Sequence, residues 1–172
     1  MRILFLHGLE SRPGGQKSQH LQRMGHHVLN PQLPPEDFQK SVQIAQAEVD
    51  KHTPDLVVGS SRGGAVAMSL DLKGARLVLV APAWKKYDAN PTVPIGTFVL
   101  HSRDDGVIPF EESKEITGRL LVECGSDHRM SDASALQELE KAVKVVEKEL
   151  SEKKRKSQMF MNIRNPFSKL FK

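Results

Sequence analysis

A chain of 172 residues with 38% hydrophobic side chains suits one domain that buries roughly two thirds of its unfolded surface, and its single cysteine, Cys124, excludes a disulfide framework. The apolar run at residues 3–6 is too short for a signal segment and no later stretch approaches a membrane-spanning length, so a soluble cytoplasmic protein is expected. The net charge of +4 is uneven: residues 151–172 hold seven Lys or Arg against one Glu, leaving 18 basic and 20 acidic side chains in residues 1–150, a body that argues against nucleic-acid binding.

Predicted strands fall at residues 3–7, 27–30, 56–59, 77–81, 98–101 and 120–124. Their apolar runs are continuous rather than alternating, the pattern of parallel strands covered on both faces. Between them, a short polar helix at 16–24 turns Leu21 and Met24 inward, and a helix at 36–51 carries Phe38, Val42, Ala45 and Val49 on one stripe. A third at 65–72 closes at Gly74, and Ser131 is placed to cap a long last helix with the stripe Leu136, Leu139, Val143, Val146 and Leu150. Strand and helix therefore alternate, which predicts an α/β fold with a doubly wound, mostly parallel six-stranded sheet. Residues 82–96 interrupt the alternation: Trp84, Tyr87, Pro91 and Pro94 predict an irregular loop near the carboxyl ends of the strands. Trp84 and Tyr87 are candidates for a substrate-pocket wall, or they cover the sheet edge.

The chemistry concentrates after the third strand, where Gly59-Ser60-Ser61-Arg62-Gly63 sets Gly-x-Ser-x-Gly between a β-branched run and a helix former. A serine hydroxyl becomes a nucleophile when a sharp strand-to-helix turn thrusts it beside a base, and small residues on both sides let the chain crowd that turn. Ser61 has glycine two residues to either side and Ser60 does not; no lysine follows the glycines as a phosphate loop would need. His7-Gly8-Leu9 ends the first strand at the same sheet edge, so the Leu9 and Arg62 amides are candidate oxyanion donors and His7 a structural turn residue. A carboxylate past the fifth strand could orient a base: Asp105 is favoured, with Asp104 its competitor. His128 occupies the late loop after the sixth strand and is the candidate base, whereas the other histidines close strands or lie on helices. The scattered histidines lack metal-ligand spacing, Cys124 reads as a buried thiol, and neither metal nor cofactor is expected.

These residues resemble the α/β-hydrolase family, and within it the small bacterial YqiA-type esterases. The resemblance spans residues 2–150 and rests on His7-Gly8-Leu9-Glu10-Ser11-Arg12-Pro13-Gly14, on the elbow at 59–64, on the acid segment at 101–109 and on Gly125-Ser126-Asp127-His128. It implies a trimmed sheet of order 2-1-3-4-5-6 without a large cap, and a triad in the chain order Ser61, Asp105, His128. Three departures stand out: His101-Ser102 replaces His-Gly, Arg103 follows, and Arg62 succeeds the nucleophile, where its guanidinium is expected to bias the site toward anionic substrates. The segment 82–96 is too short for a helical cap, so an open pocket is expected.

The sequence thus divides into a hydrolase domain at 1–150 and a basic tail at 151–172. Lys153-Lys154-Arg155-Lys156 is expected to end the long helix, and Phe160, Met161, Ile163, Phe167, Leu170 and Phe171 among positive charges suggest a weak contact with an anionic membrane, a solvated end or a segment folded back on the body. The expected activity is cleavage of small or short-chain carboxylic esters through an acyl-enzyme on Ser61. A thioesterase, amidase or acyltransferase would use the same triad, and a binding protein of the same fold without turnover is the competing reading from another class.

Overall fold

The computed structural model describes residues 1–164. Its elements run β1 (Arg2–Leu6), α1 (Gln16–Arg23), β2 (His27–Leu29), α2 (Phe38–His52), β3 (Leu56–Ser60), α3 (Arg62–Met68), β4 (Arg76–Val80), β5 (Thr92–His101), α4 (Phe110–Glu115), β6 (Thr117–Glu123) and α5 (Ala133–Arg164). All six strands pair in parallel in the order β2-β1-β3-β4-β5-β6, as the resemblance implied.

The continuous apolar strands are explained by a core on each face. In β1, Leu4 and Leu6 join Val57, Leu77, Leu79 and Val99 under Ala45 and Val49 of α2 and Ala65 and Val66 of α3. Ile3 and Phe5 point the other way, with Val58, Val78 and Val80, against Leu21 of α1 and Leu139, Val143 and Val146 of α5. Alternate residues serve opposite layers, so every position must be apolar. Burying each such Leu, Val or Ile stabilises the fold by about 1.5–3 kcal/mol before chain entropy is counted. The strand order reverses between β1 and β3, and the loops leaving their carboxyl ends meet there, at the point where open α/β sheets bind ligands.

Four local features differ from the sequence reading. The irregular loop expected at 82–96 contains a 3-10 turn at Lys85–Tyr87 and the beginning of β5, where Thr92 pairs with Thr117 before the register shifts ahead of Thr97. That shift accommodates Pro94, which cannot donate to a regular ladder. Helix α4 was not anticipated. The cap of α5 is Asp132, whose Oδ1 accepts from the Ser134 and Ala135 amides at 3.0 and 3.1 Å, rather than Ser131. Finally, α5 continues through the basic run at 153–156 instead of ending there. Of the six apolar residues that carried the membrane expectation, Phe160 and Met161 are exposed on α5, and Phe167, Leu170 and Phe171 lie outside the described residues. Among the described residues no helix is long and apolar enough to cross a membrane.

Candidate active site

Ser61 sits between the end of β3 and the start of α3 with φ 54° and ψ −118°, a backbone conformation that a non-glycine residue rarely adopts. Such a residue costs about 1–3 kcal/mol and persists only when its surroundings hold it. Here the Ser61 N–H donates to the Val80 carbonyl at 2.8 Å, and the Ser61 carbonyl accepts from Gly64 at 2.9 Å and Ala83 at 3.1 Å. The flanking glycines are required by close approach. A Cβ on Gly63 would stand 2.1 Å from the Leu6 carbonyl oxygen, and one on Gly59 would stand 2.5 Å from the Gly63 carbonyl oxygen. The motif therefore presses α3 onto β1 and β3 and lifts the Ser61 side chain to the sheet edge.

Three loops converge on that hydroxyl. Ser61 Oγ lies 2.9 Å from His128 Nε2, and His128 Nδ1 lies 2.7 Å from Asp105 Oδ2. The carboxylate is fully buried, and its other oxygen, Oδ1, accepts from the Val107 and Ile108 amides, each at 2.8 Å. With the acceptor Oδ2 facing Nδ1, the imidazole carries its proton on Nδ1 and offers the Nε2 lone pair to Ser61. Burial pushes the Asp105 carboxyl up, but the Ile108 amide, the His128 ring and the Val107 amide together outweigh it and hold the group below its ordinary value. Asp104, the competing acid, is exposed and uses its amide to donate to Ser102 Oγ.

Two residues of this network stood out in the sequence only as a departure from the family pattern, without a role. His101 is completely buried, and its Nε2 lies 2.9 Å from the same Asp105 Oδ2 while its Nδ1 lies 2.7 Å from Ser113 Oγ. Burial pushes the His101 imidazole down despite the neighbouring Asp105, so a neutral ring donates to the carboxylate and accepts from Ser113. Ser102 joins the two loops: its Oγ donates to the Gly125 carbonyl at 3.0 Å and accepts from Asp104. The detectable signal was the four-residue interval between a strand-ending histidine and a turn carboxylate.

The loop of His128 is held locally and from α1. Asp127 Oδ1 accepts from the Arg129 and Met130 amides at 2.9 and 3.2 Å, and Met130 is buried. From α1, Lys17 Nζ donates to the Arg129 carbonyl at 2.5 Å and Gln16 Nε2 to the Ser131 carbonyl at 3.0 Å.

Ser61 and His128 open into a cleft of about 450 Å³ bordered also by Gly8, Leu9, Arg62, Tyr87 and Ile108, among others. Leu9 and Arg62, the expected oxyanion donors, both line it, and Arg62 opens α3, where an N–H has no partner within the helix. Tyr87 reaches the wall and stacks on Phe38 with centroids 4.7 Å apart. Trp84 does not line the cleft. It packs in the core beneath α2 and α3, and its Nε1 donates to the Glu112 carbonyl at 3.1 Å, because an indole so deep must find an acceptor.

The Arg62 guanidinium also departs from expectation. The residue is only 2% exposed; Nη2 donates to the Pro34 carbonyl at 2.8 Å and to Ser41 Oγ at 3.0 Å, and the guanidinium carbon stands 5.7 Å from the centroids of both Phe38 and Tyr87. It braces the elbow from behind and cannot also meet a substrate anion. His7 is buried at the end of β1: its Nε2 accepts from the Leu33 amide at 3.2 Å, leaving Nδ1–H for the Gly8 carbonyl at 2.9 Å. Burial and the Glu138 and Asp132 carboxylates push the Cys124 thiol up to about 11. Among the described residues, no three His, Cys, Asp or Glu side chains are grouped to hold a metal ion.

The model of the Uncharacterised protein family UPF0227 matches residues 2–92. No curated protein is significantly similar in sequence. Among solved structures, mouse alpha/beta hydrolase domain-containing protein 10 superposes with a TM-score of 0.70 at 14% identity, over 87% of this chain and 90% of that one. MGS-MChE2, an alpha/beta hydrolase enzyme from a lagoon-sediment metagenome of Mar Chica, Morocco, gives 0.64 at 17% identity over 88% and 92%. Est1E from Butyrivibrio proteoclasticus gives 0.61 at 16% identity over 87% of both chains. Identities this low establish a common fold and nothing finer. With more than half of its length matched by the family model, and with these neighbours superposing over most of the chain, the chain belongs to the UPF0227 family and has the α/β-hydrolase fold.

Proposed function

We propose that this protein is a serine hydrolase that cleaves small or short-chain carboxylic esters through an acyl-enzyme on Ser61. The observation that carries the reading is the unbroken chain from Ser61 Oγ to His128 Nε2 at 2.9 Å and from His128 Nδ1 to Asp105 Oδ2 at 2.7 Å. In the first step Ser61 Oγ bonds to the ester carbonyl carbon while His128 Nε2 takes the hydroxyl proton. Asp105 stays ionised and stabilises the imidazolium, and the Leu9 and Arg62 amides face the developing oxyanion. Collapse expels the alcohol, which receives the proton from His128. Water then attacks the acyl carbon while giving its proton to the same nitrogen, and collapse breaks the bond to Ser61 Oγ, which takes that proton back as the acid leaves.

The cleft of about 450 Å³ suits a small substrate, with Leu9, Ala83, Tyr87, Val107 and Ile108 offering apolar surface to a short acyl chain. Hydrolysis of 4-nitrophenyl butyrate by the wild type and by Ser61→Ala tests the reading. Ser61→Ala is expected to lose roughly 10⁴-fold or more in kcat, because triad members act as a unit. Equal turnover by the two proteins, or none by the folded wild type, would refute it.

A further inference from the structure

The side chains that line the cleft carry more positive than negative charge. Several cations elsewhere face carboxylates: Arg76 meets Glu149 at 3.0 Å, Lys85 meets Glu115 at 2.6 Å, Arg103 meets Glu123 at 2.5 Å, and Lys141 and Lys144 meet Glu138 and Glu140. The cleft is lined by Arg12 of the β1–α1 loop, Lys17 of α1, Lys86 of the 3-10 turn and Arg129 beside His128, with Glu10 as the one lining carboxylate. Among the described residues none of these four cations has a carboxylate oxygen within 4.0 Å, although residues 1–150 hold more acidic than basic side chains. The cleft lining is therefore net positive within a stretch of chain, residues 1–150, whose overall balance is negative.

Placement reinforces the contrast. Lys17 is fastened to the Arg129 carbonyl, and Gln16 to that of Ser131, so this part of the cationic rim is fixed relative to the loop that delivers His128 to Ser61. Burial pushes the Lys17 ammonium down to about 8 against the pull of Asp127, a cost that a bound anion would relieve. Four cations against the single lining carboxylate of Glu10 leave the cleft with an excess of positive charge, and a cleft with a surplus of one sign concentrates ligands of the other. The guanidinium of Arg62 takes no part, being turned into the core.

We propose that the site selects esters bearing a carboxylate or phosphate close to the scissile bond, with Arg12, Lys17, Lys86 and Arg129 holding the anionic group while Ser61 attacks the carbonyl. The proposal rests on the serine-hydrolase reading and specifies its substrate class. The carboxylate arm compares mono-4-nitrophenyl adipate with 4-nitrophenyl hexanoate, which differ by a terminal carboxylate; the phosphate arm compares 2-phosphoethyl butyrate with ethyl butyrate by pH-stat. In at least one arm kcat/KM for the anionic ester is expected to exceed that of its neutral partner about ten-fold at low salt. The ratio should fall toward unity at high salt and in the double variant Arg12→Gln/Arg129→Gln. The arm that shows the preference identifies the anion. Ratios near unity in both arms, insensitive to salt and to the substitutions, would overturn the proposal and leave the hydrolase reading standing. Calorimetric titration of Ser61→Ala with mono-4-nitrophenyl adipate, expected to give binding that weakens with salt, separates the two: binding without wild-type turnover of any ester would sink the hydrolase reading and keep the anion site.

Discussion

Asp105→Asn is the most informative single-atom change in this site. The carboxylate accepts four hydrogen bonds: Oδ1 takes the Val107 and Ile108 amides, and Oδ2 takes His128 Nδ1–H and the His101 ring. An asparagine has one acceptor oxygen and one donor nitrogen. Turning its NH₂ toward the two backbone amides would set donors against donors in a buried turn, so the oxygen stays with Val107 and Ile108 and the NH₂ faces the imidazoles. His128 then accepts at Nδ1 and carries its proton on Nε2, where it donates to Ser61 and can no longer remove the hydroxyl proton. The corresponding tautomer reversal in a serine protease lowers kcat about 10⁴-fold, equal to about 5.5 kcal/mol of barrier. The assay is kcat for 4-nitrophenyl butyrate at pH 7 to 9, with circular dichroism to verify folding. A folded variant retaining kcat within about ten-fold of wild type would refute the assignment of Asp105 as the group that sets the His128 tautomer.

Other consequences follow from the same contacts. Gly63→Ala, whose Cβ would stand 2.1 Å from the Leu6 carbonyl oxygen, should cost about 3 kcal/mol or more in urea unfolding, whereas Gly106→Ala, with nothing within 4 Å, should stay within about 0.5 kcal/mol; equal effects would contradict the crowded elbow. His101, His26 and Asp105 are all held below their ordinary values, so the unfolded chain binds more protons than the folded one. Their stabilisation is complete above about pH 6.5 for the histidines and about pH 3.9 for Asp105, and it is lost as pH falls below those values. The melting temperature should therefore drop from about pH 7.5 to 5.5, and less steeply in His101→Gln; an identical slope would contradict a neutral buried His101. Cys124, with its thiol raised to about 11, should react with Ellman's reagent at neutral pH only after unfolding, and rapid labelling of the native protein would show the burial to be wrong.

What could be read in the chain depended on whether neighbours in sequence or neighbours in space decide a feature. Ile3, Leu4, Phe5 and Leu6 announce a strand covered on both faces because each residue carries its own apolar requirement, and Gly59, Ser61 and Gly63 announce the elbow because the crowding is local. Asp105 was favoured over Asp104 but turn chemistry suits both, and it is the arrival of Val107, Ile108 and His128 that distinguishes them. Arg62 was misread for the same reason: a cation next to a nucleophile suggests an anionic substrate, but Pro34, Ser41, Phe38 and Tyr87 draw it into the core. Trp84 likewise follows a distant partner, the Glu112 carbonyl. The six residues of α4 are too few for a helical period to register, and Pro94 and Gly96 masked the start of β5 because a register shift lets a strand tolerate them.

A fluorophosphonate probe reads whether Ser61 is an activated nucleophile without knowledge of the natural substrate. Intact mass after exposure of the wild type should show a single adduct, mapped by peptide digestion to Ser61, absent in Ser61→Ala and strongly slowed in His128→Ala. A folded wild type that remains unlabelled, or that is labelled at another residue while Ser61 stays free, would contradict the account.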